Sequence, residues 1–145
     1  MPNPTQQSLE AFKNQAHPHC ISCSGDNESG LALEFHLRDD NGVEAEFQCE
    51  HAYQGYAGFL HGGIASLLLD SAMTNCLFAH QITAVTARLI VRYLLPVKIH
   101  KPVTVRAWIR EYEPPLFVLE AELSQDGKAV VRASAKFIDM DYTSA

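Results

Sequence analysis

The chain has 145 residues, 47% hydrophobic and 19% charged, the balance of one soluble globular domain rather than a disordered or fibrous chain. A net charge of −6, with no run of three basic residues, argues against a nucleic-acid module and its basic face. The first residues lack the positive start and apolar stretch of a signal peptide, and no segment approaches the ~18 uninterrupted apolar residues of a membrane span. A cytoplasmic protein whose four cysteines are reduced thiols is therefore expected.

In chain order, Ser8 reads as the cap of a short amphipathic helix with Leu9, Phe12 and Ala16 on one side. Pro18 to Gly30 reads as loop. Residues 1–24 then form an N-terminal helix and loop, and 25–145 a single domain. Leu31, Leu33, Phe35 and Leu37 alternate with polar residues, and so do Val43, Ala45, Phe47 and Cys49. Between them Asp39-Asp40-Asn41-Gly42 is a hairpin turn. Tyr53 to Gly63 holds four of the eight glycines. The helix that follows, Ile64 to Ala79, is apolar nearly all round, which marks a buried central helix. Val85–Leu95, Val103–Arg110, Phe117–Leu123 and Ala129–Ile138 read as strands, the last two joined at Asp126-Gly127. The sum is an α+β fold, with one curved antiparallel sheet wrapped around a long central helix. A second copy is expected to cover what the sheet leaves open.

His61-Gly62-Gly63 stands where the central helix starts. The first N–H groups of a helix lack internal partners, and the helix dipole favours negative charge there. Glycine lets a ligand approach those donors. The run is either an oxyanion site or a plain glycine-rich turn into a buried helix. Asp70 is the second anomaly, an acid inside Leu67-Leu68-Leu69-Asp70-Ser71-Ala72-Met73. At 100° per residue, Gly63, Ser66, Asp70 and Thr74 make one polar stripe, facing a reaction, solvent or a subunit contact. Asp70 lies ~12 Å along the axis from Gly62, too far for both to act on one carbonyl. A shared reaction would need Gly62 from one copy and Asp70 from another.

The run Tyr53 to Met73, with His61-Gly62-Gly63 and Asp70 in that spacing, resembles the signature of hotdog-fold acyl-CoA thioesterases, most closely the phenylacetate-degradation type. His19-Cys20-Ile21-Ser22-Cys23-Ser24-Gly25, Ser29-Gly30-Leu31, and Thr86 within Ala84–Pro96 are similar to the corresponding family segments. The resemblance implies the hotdog fold, hydrolysis of an acyl-CoA thioester without a cofactor, and a homodimer or dimer of dimers. It implies that the Gly62 N–H polarises the thioester carbonyl and that His61 holds the thioester or lines the pocket. Asp70 of the neighbouring subunit would be nucleophile or general base. Thr86, from the same chain as that Asp70, would position the water or support the carboxylate. Gly55 stands where some relatives carry Asn, and Gln54 is adjacent. Gln54, Gly63, Arg88 and Arg92 are the expected substrate-binding residues.

Other readings remain open at this level. A dehydratase or hydratase of the same fold would use a loop histidine, His51 or His61. A non-catalytic acyl-CoA-binding protein would lack the carboxylate. There is no G-x-S-x-G and no phosphate loop. His17, His19, Cys20 and Cys23 resemble half of a zinc site, but Cys49 and Cys76 fall in a strand and in the buried helix, so no metal is expected. Arg88, Arg92, Lys98, His100 and Lys101 are either receptors for coenzyme A phosphates or solvated strand ends. Tyr56, Phe59, Phe78 and Tyr93 line an acyl tunnel or belong to the core.

Overall fold

The computed structural model describes residues 1–143. Its frame is a six-stranded antiparallel sheet curled around one 18-residue helix. The first helix, α1 (Gln6–Ala16), is capped by Thr5, whose hydroxyl accepts the Ser8 N–H at 3.0 Å. Ser8 is thus inside the first turn, and the cap lies three residues earlier than expected. The shift is physical: a side-chain oxygen satisfies the N–H two or three positions ahead of it, so the cap must precede the turn. Leu9, 1% exposed, carries α1 into the core against the central helix.

Strand β1 is only His36–Leu37, paired with β2 (Val43–Gln48). The expected longer strand fails because its first half is committed elsewhere. Leu31 and Leu33 donate their N–H groups to the carbonyls of Ile21 and Ser22, and Gln6 takes the Leu37 N–H and the Phe35 carbonyl. Leu33 and Phe35 are buried all the same, so the alternation marked burial rather than pairing. The hairpin turn holds Asn41 at φ 68. Gly42 is fixed by close approach: a Cβ there would sit 2.6 Å from the Ala107 carbonyl oxygen.

A 3-10 turn (His51–Tyr53) and the glycine-rich loop lead into the central helix α2 (Gly62–Ala79). By length and apolarity α2 could cross a membrane, yet 67% of it is buried inside the fold. Four long strands follow: β3 (Ala84–Tyr93), β4 (Pro102–Glu113), β5 (Leu116–Gln125) and β6 (Lys128–Asp139). The sheet order is β1-β2-β4-β5-β6-β3, so β3 crosses to the far edge beside β6. Phe117, Leu119, Leu123, Val131 and Phe137, at most 2% exposed, line the inner face against the helix. Among the described residues no strand lies beside the outer edge of β3. Val85, Ile90 and Tyr93 on it, and Leu94 and Leu95 just after, are exposed. A long open edge with apolar side chains is a surface that sheets normally cover.

Candidate active site

The polar stripe of α2 faces β3. Asp70 Oδ1 accepts the Thr86 hydroxyl at 2.6 Å, the length of a charge-assisted O–H···O bond. The register explains the meeting: Thr86 pairs with Phe137, whose ring is in the core, so Thr86 points inward. One turn nearer the start of the helix, the Tyr93 hydroxyl donates to the Gly62 carbonyl at 2.8 Å and takes the Ser66 hydroxyl at 2.7 Å. Beyond the tunnel and core roles expected of Tyr93, it ties the first turn of α2 to the edge strand. No local pattern signals that tie, because the partners lie 31 positions apart.

His61 is the N-cap of α2. Its Nδ1 accepts the Gly63 N–H at 2.8 Å. An accepting Nδ1 places the ring proton on Nε2, which is left as a donor. Among the described residues nothing accepts a hydrogen bond from the Gly62 N–H. That donor stands at the positive end of the helix dipole, at the surface. Two clefts flank it. One, of about 380 Å³, is lined by Tyr56, Phe59, Gly62, Tyr93, Leu95 and Val97. The other, of about 330 Å³, is lined by Tyr53, Gln54, His61, Gly63 and Ile64. Three of the four expected tunnel aromatics therefore border the first cleft, while Phe78, 1% exposed, is core.

Gln54 lies beside His61 and is held within the loop. Its amide nitrogen is 3.1 Å from His51 Nε2, and its oxygen accepts the Gly58 N–H. His51 is exposed in the 3-10 turn. The helix separates Gly62 from Asp70 by eight residues, ~12 Å. The structure thus brings together two groups, Gly62/His61/Gly63/Gln54 and Asp70/Thr86, at different points of the same helix.

Arg88 and Arg92 join neither group. Strict alternation from Thr86 would put positions 88 and 92 on its face, but the register shifts between Thr86 and Arg88. Beyond that bulge Leu89, Val91 and Tyr93 pair with the inward residues Ala135, Ala133 and Val131. Arg88 and Arg92 pair with Lys136 and Arg132 on the outer face. Lys98 lines an adjoining cleft of about 270 Å³ with Phe59 and Leu95. Lys101 is engaged with Asp126 at 2.9 Å.

The loop after α1 places His17, Cys20 and Cys23 together, with one donor atom of each within 4.8 Å of the others. Burial pushes the Cys23 thiol up to about 11. Burial also works to raise Cys20, but hydrogen bonds from Ser22 and Cys23 outweigh it and hold that thiol below its ordinary value. Burial lowers His17, against the opposing charge of Asp70. Cys49 and Cys76 lie outside this group.

A curled sheet around a buried helix, with a free N–H at the helix start and a carboxylate on its flank, defines a hotdog-fold protein. The thioesterase superfamily profile matches residues 57–132, which include both groups above except Gln54, and the chain belongs to that superfamily. It is 31% identical over 119 residues to the acyl-coenzyme A thioesterase THEM4 of Rattus norvegicus, covering 79% of this chain and 51% of the relative. The chain thus spans about half the length of that curated relative.

Among solved structures, the fold is similar to the Escherichia coli PaaI protein of the phenylacetic acid degradation operon. The TM-score is 0.77 at 15% identity, over 92% of this chain and 94% of that one. It is also similar to a hypothetical thioesterase of Streptococcus pneumoniae solved with coenzyme A, with a TM-score of 0.70 at 19% identity, over 74% of this chain and 88% of that one. The Streptococcus protein has further been solved as separate variants with an aspartate and a threonine, sixteen positions apart, changed to alanine.

Proposed function

We propose that the chain is an acyl-CoA thioesterase of the phenylacetate-degradation type, working in the cytoplasm as a homodimer with sites shared across the interface. The observation that carries this reading is the Asp70–Thr86 pair at 2.6 Å on a seam ~12 Å from an unpartnered helix N–H. Each half-site lacks what the other has. The open β3 edge, next to both, is the surface on which a second copy would join sheet to sheet. Thr86 and Asp70 are themselves sixteen positions apart.

The chemistry follows from the donors. The Gly62 N–H holds the thioester oxygen and stabilises the negative charge it gains in the tetrahedral intermediate. The His61 Nε2–H, beside the cleft on the other flank of Gly62, is a second donor to the bound acyl-CoA. The partner subunit's Asp70 takes a proton from water as the water attacks the carbonyl, or attacks directly to form an anhydride that water opens. Thr86 of that same subunit donates to the carboxylate and fixes which oxygen faces the carbonyl. Collapse expels the coenzyme A thiolate, which takes up a proton, leaving free acid and thiol. No metal or cofactor is part of this proposed reaction.

Mixing subunits tests it. Gly62→Pro removes the N–H, and the fold accepts proline there: Gly62 is the first helical residue, His61 is extended at φ −61, ψ 133, and a Cβ would meet only the Tyr93 ring, at 3.5 Å or more. Gly62→Pro and Asp70→Ala homodimers should both be inactive, and refolded mixtures should regain activity, since a mixed dimer holds one intact site. Mixed dimers of normal fold with no recovered thiol release would rule out shared sites.

A further inference from the structure

We propose that His17, Cys20 and Cys23 form a binding site for a thiolate-seeking divalent cation, Zn²⁺ by its donor set, with the fourth position open to water. This departs from the expectation of no metal, which took His17, His19, Cys20 and Cys23 as half of a site and found no second half in Cys49 and Cys76. The fold supplies the third donor instead by ending α1 at His17, its C-cap residue.

The geometry fits before any ion is placed. His17 Nδ1 lies 3.6 Å from Cys23 Sγ. Zn–N of about 2.0 Å and Zn–S of about 2.3 Å at a tetrahedral angle place the two donors about 3.5 Å apart. All three donor atoms lie within 4.8 Å of one another, so closure onto one centre needs only small movements. The Cys20 sulfur is already arranged as a thiolate ligand. It accepts the Ser22 N–H at 3.4 Å and lies 3.1 Å from the Ser22 hydroxyl. Such donors favour the negatively charged sulfur that a metal requires.

The cluster also adjoins the central helix through Asn75. Asn75, fully buried on α2, donates its amide to the Ser71 carbonyl at 2.9 Å and lies close enough to Cys23 to favour the ionised sulfur. Its Oδ1 is the one buried side-chain oxygen without a partner among the described residues. Buried polar atoms are rarely left so.

The charge balances as well. Two thiols release their protons to solvent on binding, so two thiolates, a neutral imidazole and a divalent cation sum to zero. Two sulfurs and one imidazole nitrogen select Zn²⁺ over oxygen-seeking Mg²⁺ or Ca²⁺. The bound ion would join the end of α1, the cysteine loop and, through Asn75, the central helix. The His17 ring is already packed edge-on against Phe78 of that helix, centroids 5.0 Å apart.

The test uses the whole chain, purified without added metal and kept reduced with a phosphine. Titration with Co²⁺ should give near-ultraviolet thiolate charge-transfer bands that saturate at one ion per chain, and one equivalent of Zn²⁺ should bleach them. Cys20→Ser and Cys23→Ala should abolish the bands. Cys23 is buried, so its variant can fail by unfolding. His17→Gln, at a partly exposed ring, therefore provides the second arm: the circular dichroism should stay native while Co²⁺ affinity falls at least tenfold. Cys49→Ala should change nothing, because Cys49 lies outside the cluster. Absence of charge-transfer bands at stoichiometric Co²⁺, or bands of full strength in both Cys20→Ser and His17→Gln, would overturn the site. The readout is spectroscopic, so it stands whether or not the chain proves to be a thioesterase.

Discussion

The two halves of α2 are built from similar residues and meet different surroundings. From Ser71 to Ala79 every side chain is buried, the polar Ser71, Thr74 and Asn75 included. From Gly62 to Asp70 the helix is uncovered on one flank: both glycines are exposed, and Ile64, Ser66, Leu67 and Asp70 are partly so. A helix whose apolar residues circle the whole axis should be buried along its whole length. The first half is open because its own sheet stops at β3, leaving clefts on either side of Gly62. The second half serves the core, where volume decides stability. The first half carries a donor, a carboxylate and an apolar flank that this chain does not cover. Substitutions in the two halves should therefore act on different measurements.

The largest separation is expected at Asp70. Asp70→Asn keeps shape and hydrogen bonding but removes the charge that attacks or takes a proton from water. Turnover of an acyl-CoA substrate, read as thiol release, should fall roughly 10²–10⁴-fold. Melting temperature and dimer content should hold. A folded, dimeric variant with near-normal turnover would erase the functional distinction between the halves.

The opposite behaviour is expected one turn on. Met73 is wholly buried, and Met73→Ala should cost about 2–5 kcal/mol of unfolding free energy through lost contacts and the cavity left behind. Denaturant titration measures that. Turnover per folded molecule should stay within about twofold. A variant that keeps its stability but loses turnover would place Met73 with the site rather than the core.

These two positions also show where reading the sequence succeeds. The buried half of α2 was visible from apolar composition, and the glycine cluster marked the helix start, because both are local signals. Asp70 stood out as an acid among leucines. Its partner Thr86 came only from family resemblance, since nothing local connects residues sixteen apart on helix and strand. Arg88 and Arg92 were grouped with the site for their charge, as receptors for coenzyme A phosphates, and nothing in the sequence marks the register shift that sets them on the outer face. The strand expected from Leu31 was cut short by Ile21, Ser22 and Gln6, partners 10 to 31 residues away. His17 was noticed beside the cysteines, but only the fold shows its ring turned onto Cys23.

Thr86→Val sharpens the comparison from the strand side. It removes one bond to the Asp70 carboxylate and keeps the β-branched shape that the edge strand favours. A hydrogen bond to a charged group is worth ~1.5–3 kcal/mol, much of which solvent can replace at so open a position. A fall of about tenfold in kcat, with KM nearly steady, is the expected result. A change in KM alone would mean that Thr86 contacts substrate rather than orienting the carboxylate.

The smallest effect concerns His61, where structure and chemistry meet in one ring. Its Nδ1 caps α2 through the Gly63 N–H at 2.8 Å, and its Nε2 is left to face the cleft. Removing a cap costs about 1 kcal/mol, whereas asparagine is among the strongest N-caps. His61→Ala should therefore lower unfolding free energy by about 1 kcal/mol, and His61→Asn by a few tenths. Both lose the Nε2–H, so both should lower kcat/KM by a similar factor, about tenfold for one hydrogen bond to bound substrate. Unchanged stability in both, with kcat/KM lowered equally, would assign the ring to catalysis without the cap. Unequal stability with unchanged kcat/KM in both would reduce His61 to a helix stop and leave the oxyanion to the Gly62 N–H.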